Sequence, residues 1–268
     1  MQKISGTEIA REILAKLKTE KAPEKILAAI LVGGDLSSAN FIAQKEKLAE
    51  ELGVDFRVYK FDEHAANDEL RRKVGEIAKK KSVGGVIVQL PLPSHVNKHY
   101  VLNAVPREKD VDVLGERALG AFYAGRSVVL PGAAGTVKEI LDRLRAEKFS
   151  AAVVGLGLLV GKPTAHYLIG RAHTLILIDE KGDMKRIKDA DIVVLGAGKT
   201  GIVNASMIKD GAVVIDFGYS RSGGRFRGDF DPKDSELFKG FYTPTPGGTG
   251  PVLVAKLLEN FYALNSRR

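Results

Sequence analysis

The chain has 268 residues, 44% hydrophobic and 28% charged, with no cysteine. This content excludes a disordered chain and suits one large domain or two modest ones, while the lack of cysteine excludes disulfide staples, thiolate zinc sites and cysteine nucleophiles, and no metal site is expected. Lys plus Arg outnumber Asp plus Glu by 41 to 33, a net charge of +8, but the basic residues alternate with acidic ones, as in DELRRKVGEIAKKK, and only 7% of residues are aromatic, so solvated helix faces are expected and no nucleic-acid partner.

The opening MQKISGTEIAREILAKLK mixes apolar and charged residues, so neither a signal peptide nor a membrane span is expected, and a cytoplasmic location is. Ser5 and Glu8 have capping-box spacing and Ile9, Ile13, Leu14 and Leu17 follow a helical stripe, predicting a helix over 7–20. KILAAILVGG predicts a strand over 26–32, and SSANFIAQKEKLAEELG a helix capped by Ser37 or Ser38. VDFRVYKF predicts a further strand, residues 68–80 a helix, and GGVIVQLPLPSHV a buried strand that Pro91 and Pro93 terminate. This alternation predicts a mainly parallel sheet with helices on both sides.

A second unit follows VPREKDVDVLGERALGAF. It reads as strand, glycine turn and helix over SAAVVGLGLLVGKPTAHYLIG, then strands in HTLILIDE, ADIVVLGAG and GAVVIDFG, half of a doubly wound nucleotide-binding sheet. The closing helix in GTGPVLVAKLLENFYAL has Val252, Leu257, Leu258 and Phe261 on its apolar face. Gly155, Gly157 and Gly161 stand where a strand becomes a helix: either a tight turn common to α/β domains, or a loop whose Gly157 admits a pyrophosphate to the backbone beside a helix N-terminus near Val160. Asp179 ends the next strand, where an acid can bond ribose hydroxyls.

Three residues carry chemistry in the first unit. Phe41, Ile42, Lys45, Leu48, Ala49 and Leu52 share one helical stripe, so Lys45 either snorkels outward or is desolvated towards a neutral amine usable in proton transfer. Gln89, at the end of a buried strand, can accept from or donate to such an amine in either protonation state. Asp110 and Asp112 lie two apart in a loop, which reads as an Asx turn or cap, or as a carboxylate accepting two N–H bonds from an amino-pyrimidinone edge.

FIAQKEK, VQLPLPSH, KDVD, VVGLGLLVGKP, IKDGAVVIDFG, GDFD and TPTPGGTGP occur in this order, and with them nearly the whole chain resembles the bifunctional methylenetetrahydrofolate dehydrogenase/methenyltetrahydrofolate cyclohydrolase family. The resemblance implies a two-domain α/β fold, with an amino-terminal α/β folate-binding catalytic domain (1–116 and 247–268), a Rossmann-like doubly wound NAD(P)-binding domain (117–246) and an active-site cleft between them. It implies oxidation of methylenetetrahydrofolate, hydrolysis of the product, and a cytoplasmic homodimer. Lys45 matches the catalytic lysine, Gln89 the glutamine that positions it and Asp112 the pterin-holding aspartate, with Asp110 structural; Phe41, Pro246, Gly247 and Gly248 would face the folate. Gly155, Leu156, Gly157, Val160, Gly161, Asp179, Gly196 and Gly198 would line the dinucleotide.

The chain departs from the family at several positions. Phe41 stands for a tyrosine, which removes a hydroxyl beside Lys45. Val113 and Ala118 stand for a glycine and an asparagine, PGAAG (131–135) for a P-C-T-P loop, and Leu156 and Gly157 for an arginine and a serine that meet the NADP phosphate. With Asp179 and Glu180 against Lys181, Lys185 and Arg186, the sequence leaves NADP and NAD both open. The alternatives are a dehydrogenase-only member, a two-domain enzyme resembling shikimate dehydrogenase, and a non-catalytic nucleotide-binding module.

Overall fold

Glycine and proline punctuate the chain much as the periodicity predicts in a computed structural model that describes residues 1–222 and 224–266. A short strand β1 (Gln2–Lys3) leads into helix α1 (Gly6–Lys18), where the Glu8 N–H donates to Ser5 Oγ over 3.3 Å and Ile9, Ile13, Leu14 and Leu17 are buried. Then come β2 (Ile26–Val32), α2 (Leu36–Glu51), β3 (Asp55–Phe61), α3 (Asn67–Lys79) and β4 (Val83–Val88). The three strands form a parallel sheet in the order β3-β2-β4. β2 and β4 are buried along their whole lengths, which is why they read as continuous apolar runs, and α3 covers them with Leu70, Val74, Ile77 and Ala78. The cap of α2 differs from expectation: Asp35 is the N-cap and accepts from the Ser38 N–H at 2.8 Å, while Ser37 and Ser38 lie inside the helix.

Helices α4 (Lys98–Leu102), α5 (Glu116–Tyr123) and α6 (Gly132–Arg143) follow. Gly132–Gly135 are the first turn of α6 rather than a loop; Ala133, Ala134 and Gly135 are buried there, so small side chains serve packing, with the glycines alone costing helix propensity. The remaining elements are β5 (Ser150–Val154), α7 (Gly161–Leu168), β6 (Thr174–Ile178), β7 (Ile192–Leu195), β8 (Val203–Asn204), β9 (Val213–Asp216), β10 (Ser220–Ser222), β11 (Arg225–Arg227), β12 (Phe230–Asp231), β13 (Phe241–Tyr242) and α8 (Thr249–Asn265).

A six-stranded parallel sheet has the order β1-β13-β9-β7-β5-β6. The chain leaves β5 for β6 on one side and returns to β7 on the other, so the strand order reverses at β5, and the glycine loop that follows β5 sits at the carboxyl end where such sheets take ligands. Two compact units result, one of residues 1–11 with 132–254 and the other of 12–131 with 255–268. They differ from the sequence-based boundaries at residues 1–11, 117–131 and 247–254, because β1 pairs with β13 and the cores divide α1 and α8 along their lengths.

Candidate functional site

Helix α2 turns Ile42, Ala49 and Leu52 into the core, and this stripe carries Phe41 and Lys45 with it to partly buried positions. Strand β4 ends at Val88; the Gln89 backbone N–H still donates to Ile30 O, which fixes the residue beside β2 before Pro91 stops the ladder. Gln89 is 8% exposed and both polar atoms of its side chain are bonded: Oε1 accepts from Lys45 Nζ at 2.9 Å and Nε2 donates to Leu90 O at 2.7 Å. This buried amide at the end of an apolar strand is thus held by two bonds, and its orientation presents an acceptor to the lysine.

Burial pushes the Lys45 ammonium below its usual range, and the Asp112 carboxylate opposes that shift. Asp112 is itself pushed up by burial while Lys45 pulls it down. Both side chains keep partial solvent access, so they line a reachable surface rather than a sealed core. The two groups are within electrostatic range of each other, and each is perturbed as residues of acid–base sites are.

Asp110 does different work. It is 5% exposed, and its Oδ2 accepts the N–H groups of Leu114 at 3.0 Å and Gly115 at 2.7 Å. Burial raises its pKa to about 7, with those backbone bonds opposing. The turn it closes carries Asp112 and Val113, and Val113 sits at φ +56° with its side chain buried. A β-branched residue in the left-handed region is strained, which accounts for the glycine common there in the resembling family.

In the unit that contains β5, the glycines of the first loop have separate reasons. Gly155 adopts φ +84°, and a Cβ would stand 2.7 Å from the Ala197 backbone. At Gly161 a Cβ would overlap Gly155 O, so the loop closes directly on α7. Gly157 is exposed and a Cβ there would meet none of the described residues within 4 Å, which is the opening a ligand backbone contact requires. Val160 is the N-cap of α7, and its side chain packs where a Cβ of Gly196 would fall, at 2.5 Å. The start of α7 is poorer in donors than its position suggests, because Pro163 has no N–H and that of Lys162 goes to Gly157 O at 3.0 Å. Asp179 and Glu180 are exposed just beyond β6, and Glu180 pairs with Lys199 at 2.7 Å.

Gly198 has φ +67° and an open Cβ direction. In the same unit, Gly247 has φ +92°, its carbonyl accepts the Thr7 N–H at 3.2 Å, and Gly248 is buried against Thr243 and Pro244, with Pro246 exposed. Sequence reasoning missed Asp216 and Asp229, which are 1% and 0% exposed. Asp216 Oδ1 accepts from Gly218 N–H at 2.7 Å and Asp229 N–H at 3.2 Å, and Asp229 Oδ2 accepts from Ala197 N–H at 2.7 Å and Gly198 N–H at 2.9 Å. The available signal was an aspartate ending an apolar strand in VVIDFG and another inside GDFD, each flanked by glycines with no room for a side chain.

The chain is similar to known proteins over nearly its whole length. Residues 4–112 match the family described as tetrahydrofolate dehydrogenase/cyclohydrolase, catalytic domain, and residues 131–268 its NAD(P)-binding domain. The chain is 36% identical over 275 aligned positions to the bifunctional protein FolD of Mycoplasmopsis synoviae, covering 97% of this chain and 98% of that one. The crystal structure of the FolD methylenetetrahydrofolate dehydrogenase/cyclohydrolase of Campylobacter jejuni superposes with a TM-score of 0.93 at 29% identity, covering 98% of each chain. The Trypanosoma brucei enzyme, in complex with NADP cofactor and inhibitor, gives 0.92 at 28%, covering 99% of this chain and 97% of that one.

Proposed function

This chain belongs to the tetrahydrofolate dehydrogenase/cyclohydrolase family, and from that premise we propose that it oxidises methylenetetrahydrofolate to methenyltetrahydrofolate with a nicotinamide dinucleotide and hydrolyses the product to formyltetrahydrofolate. The observation that carries the reading is the 2.9 Å bond from Lys45 to Gln89 with Asp112 in electrostatic range. A surface lysine that merely snorkels would have neither a buried amide partner nor a depressed pKa.

The dinucleotide, when bound, supplies the hydride acceptor. The residues present fit it: an open Gly157 at the sheet's switch point, loop N–H groups for the pyrophosphate and Asp179 beside the strand that takes adenosine. Oxidation at the methylene carbon needs no acid or base from the protein, because the folate nitrogens share the positive charge left behind; the protein's part is orientation. Hydrolysis differs. The attacking water must lose a proton and a folate nitrogen must gain one as the ring opens, and the Lys45 amine can take the first and deliver the second. Gln89 Oε1 holds that amine in either protonation state. The Asp112 carboxylate accepts from the amino-pyrimidinone edge of the pterin. Phe41, one turn before Lys45, supplies a ring but no hydroxyl, so proton transfer rests on Lys45 alone. Pro246, Gly247 and Gly248 present backbone to the folate.

Both NAD and NADP are accepted in this reading, with little discrimination. Asp179 and Glu180 disfavour a phosphate at the adenosine ribose, Leu156 offers it no cation, and Lys199 offsets Glu180. The net charge of +8 suits anionic folate tails and nucleotide phosphates. A cytoplasmic homodimer is the assembly we put forward: edge strand β6 leaves Leu177 50% exposed, and Ile169 at the end of α7 is 63% exposed, apolar surface that a second copy would cover.

Purified protein mixed with methylenetetrahydrofolate and either dinucleotide tests the function. Reduced nicotinamide must appear, and methenyltetrahydrofolate supplied alone must be hydrolysed. Turnover of shikimate with no folate turnover would overturn the reading.

A further inference from the structure

The turn that follows β7 is tied inward by a carboxylate the proposed chemistry does not use. Asp229 is fully buried. Its backbone N–H and that of Phe230 donate to Asp216, at 3.2 Å to Oδ1 and 3.0 Å to Oδ2, which fixes the residue at the end of β9. Its Oδ2 then accepts the N–H groups of Ala197 and Gly198, and its Oδ1 has no hydrogen-bond partner among the described residues. In a trans peptide the carbonyl points opposite to the N–H of the same unit. With the Ala197 and Gly198 N–H groups directed at Asp229, the carbonyl oxygens of Gly196 and Ala197 are directed away from it, towards the partly open side of the turn. This glycine turn therefore offers acceptors, and it is unsuited to an anion. The loop after β5 offers donors.

Strand order says which part of a dinucleotide meets those acceptors. β5, with its glycine loop, lies between β6 and β7. If the pyrophosphate crosses at β5 and the adenosine ribose lies by β6, the nicotinamide nucleoside falls at the end of β7. That nucleoside carries hydrogen-bond donors, its ribose hydroxyls and its carboxamide NH2.

We propose that Asp229 is a positioning residue for the dinucleotide site, which aims the Gly196 and Ala197 carbonyls at the donor groups of the nicotinamide nucleoside by holding the Ala197 and Gly198 N–H groups from behind. The proposal rests on the reading that this unit binds a nicotinamide dinucleotide. What matters is the acceptor and not its charge. Asparagine at 229 restores it, since its amide oxygen can take the place of Oδ2 and its NH2 the place of the unpartnered Oδ1.

The test is calorimetric titration of the full chain with NAD and with the acetylpyridine analogue, which lacks carboxamide N–H donors, alongside amide hydrogen exchange at Ala197 and Gly198. Asp229→Ala, folded by its melting curve, is expected to bind NAD at least about tenfold more weakly with folate affinity unchanged, and to lose protection at both amides. Asp229→Asn is expected to keep both amides protected and to bind within about threefold of the parent. An affinity loss that shrinks with the analogue assigns the carboxamide; one that persists assigns the ribose hydroxyls. Parent affinity in a folded Asp229→Ala, or a tenfold loss in Asp229→Asn with both amides still protected, would overturn the proposal. Failure of the parent protein itself to bind either dinucleotide would instead refute the reading of the unit.

Discussion

Replacing Lys45 by Met separates the two half-reactions. Methionine keeps the length and apolar stem of the side chain, so α2 loses only the amine. General acid–base catalysis by a placed side chain contributes about 10²- to 10⁴-fold, or roughly 3 to 5 kcal/mol of barrier; hydrolysis of methenyltetrahydrofolate should fall by that factor, and methylenetetrahydrofolate oxidation far less. Stability has two opposing terms. Gln89 Oε1 loses its donor, which costs about 1 to 3 kcal/mol for a buried acceptor, while the variant no longer desolvates an ammonium. The sign of the second follows from the depressed Lys45 pKa. Between that value and the ordinary 10.5 the unfolded chain binds the extra proton, so the parent's stability rises with pH across that window, and Lys45→Met deletes the slope. The assay follows loss of the methenyl absorbance without dinucleotide, reduced nicotinamide with it, and thermal melts across the alkaline range. A folded variant that hydrolyses the methenyl substrate at the parent rate would refute the role of Lys45.

Other expectations are separate. Asp112→Ala should weaken folate binding by roughly 1.5 to 3 kcal/mol for each charge-assisted bond lost, and an unchanged affinity by titration would remove the pterin assignment. Asp112 raises the Lys45 pKa, so Asp112→Asn should move the hydrolysis pH profile towards acid; a shift towards alkali contradicts the pairing. Asp110, with its pKa raised to about 7, costs the fold stability as pH rises from 3.8 through that value. Asp110→Asn, which keeps an acceptor for Leu114 and Gly115, should therefore gain melting temperature at pH above about 8 and gain little near pH 4. For the dinucleotide, the kcat/KM ratio of NADP to NAD should stay below about a hundredfold, or about 2.7 kcal/mol; a larger preference would mean that Asp179 faces away from the ribose.

Much of this was legible because buried parallel strands announce themselves. β2, β4, β5, β7 and β9 are apolar throughout, and the glycine turn after β5 marks the ligand edge of its sheet. Lys45 and Gln89 could be paired from sequence because each breaks an apolar pattern, and a residue that does so needs a partner. The rest was hidden for physical reasons. Strands of two or three residues, such as β8 and β12, carry too few side chains to show a period. Gly132 and Gly135 disguise the start of α6, where tertiary packing overrides propensity. Asp216 and Asp229 act through backbone N–H groups distant in sequence, 13 residues apart for the Asp216–Asp229 bond and 32 for the bond from Ala197; VVIDFG and GDFD mark the two carboxylates but not which donors they meet. Val113 is readable as strained only once its φ is known.

Helix α8 has a consequence for the order of events during synthesis. Its second half belongs to the unit built from residues 12–131. Phe261 and Leu258 are wholly buried there, and the Asn260 side chain donates to the carbonyls of Val111 and Leu130, each at 2.8 Å. The first of these bonds spans 149 residues and braces the backbone immediately before Asp112. A ribosome delivers residues 12–131 long before it delivers Asn260, so the unit that carries Lys45, Gln89 and Asp112 lacks its closing helix, and the backbone before Asp112 its brace, until translation has passed through residues 132–254. The chain of this unit is therefore completed only at the end of synthesis, a timing set by chain topology rather than by the chemistry of the site.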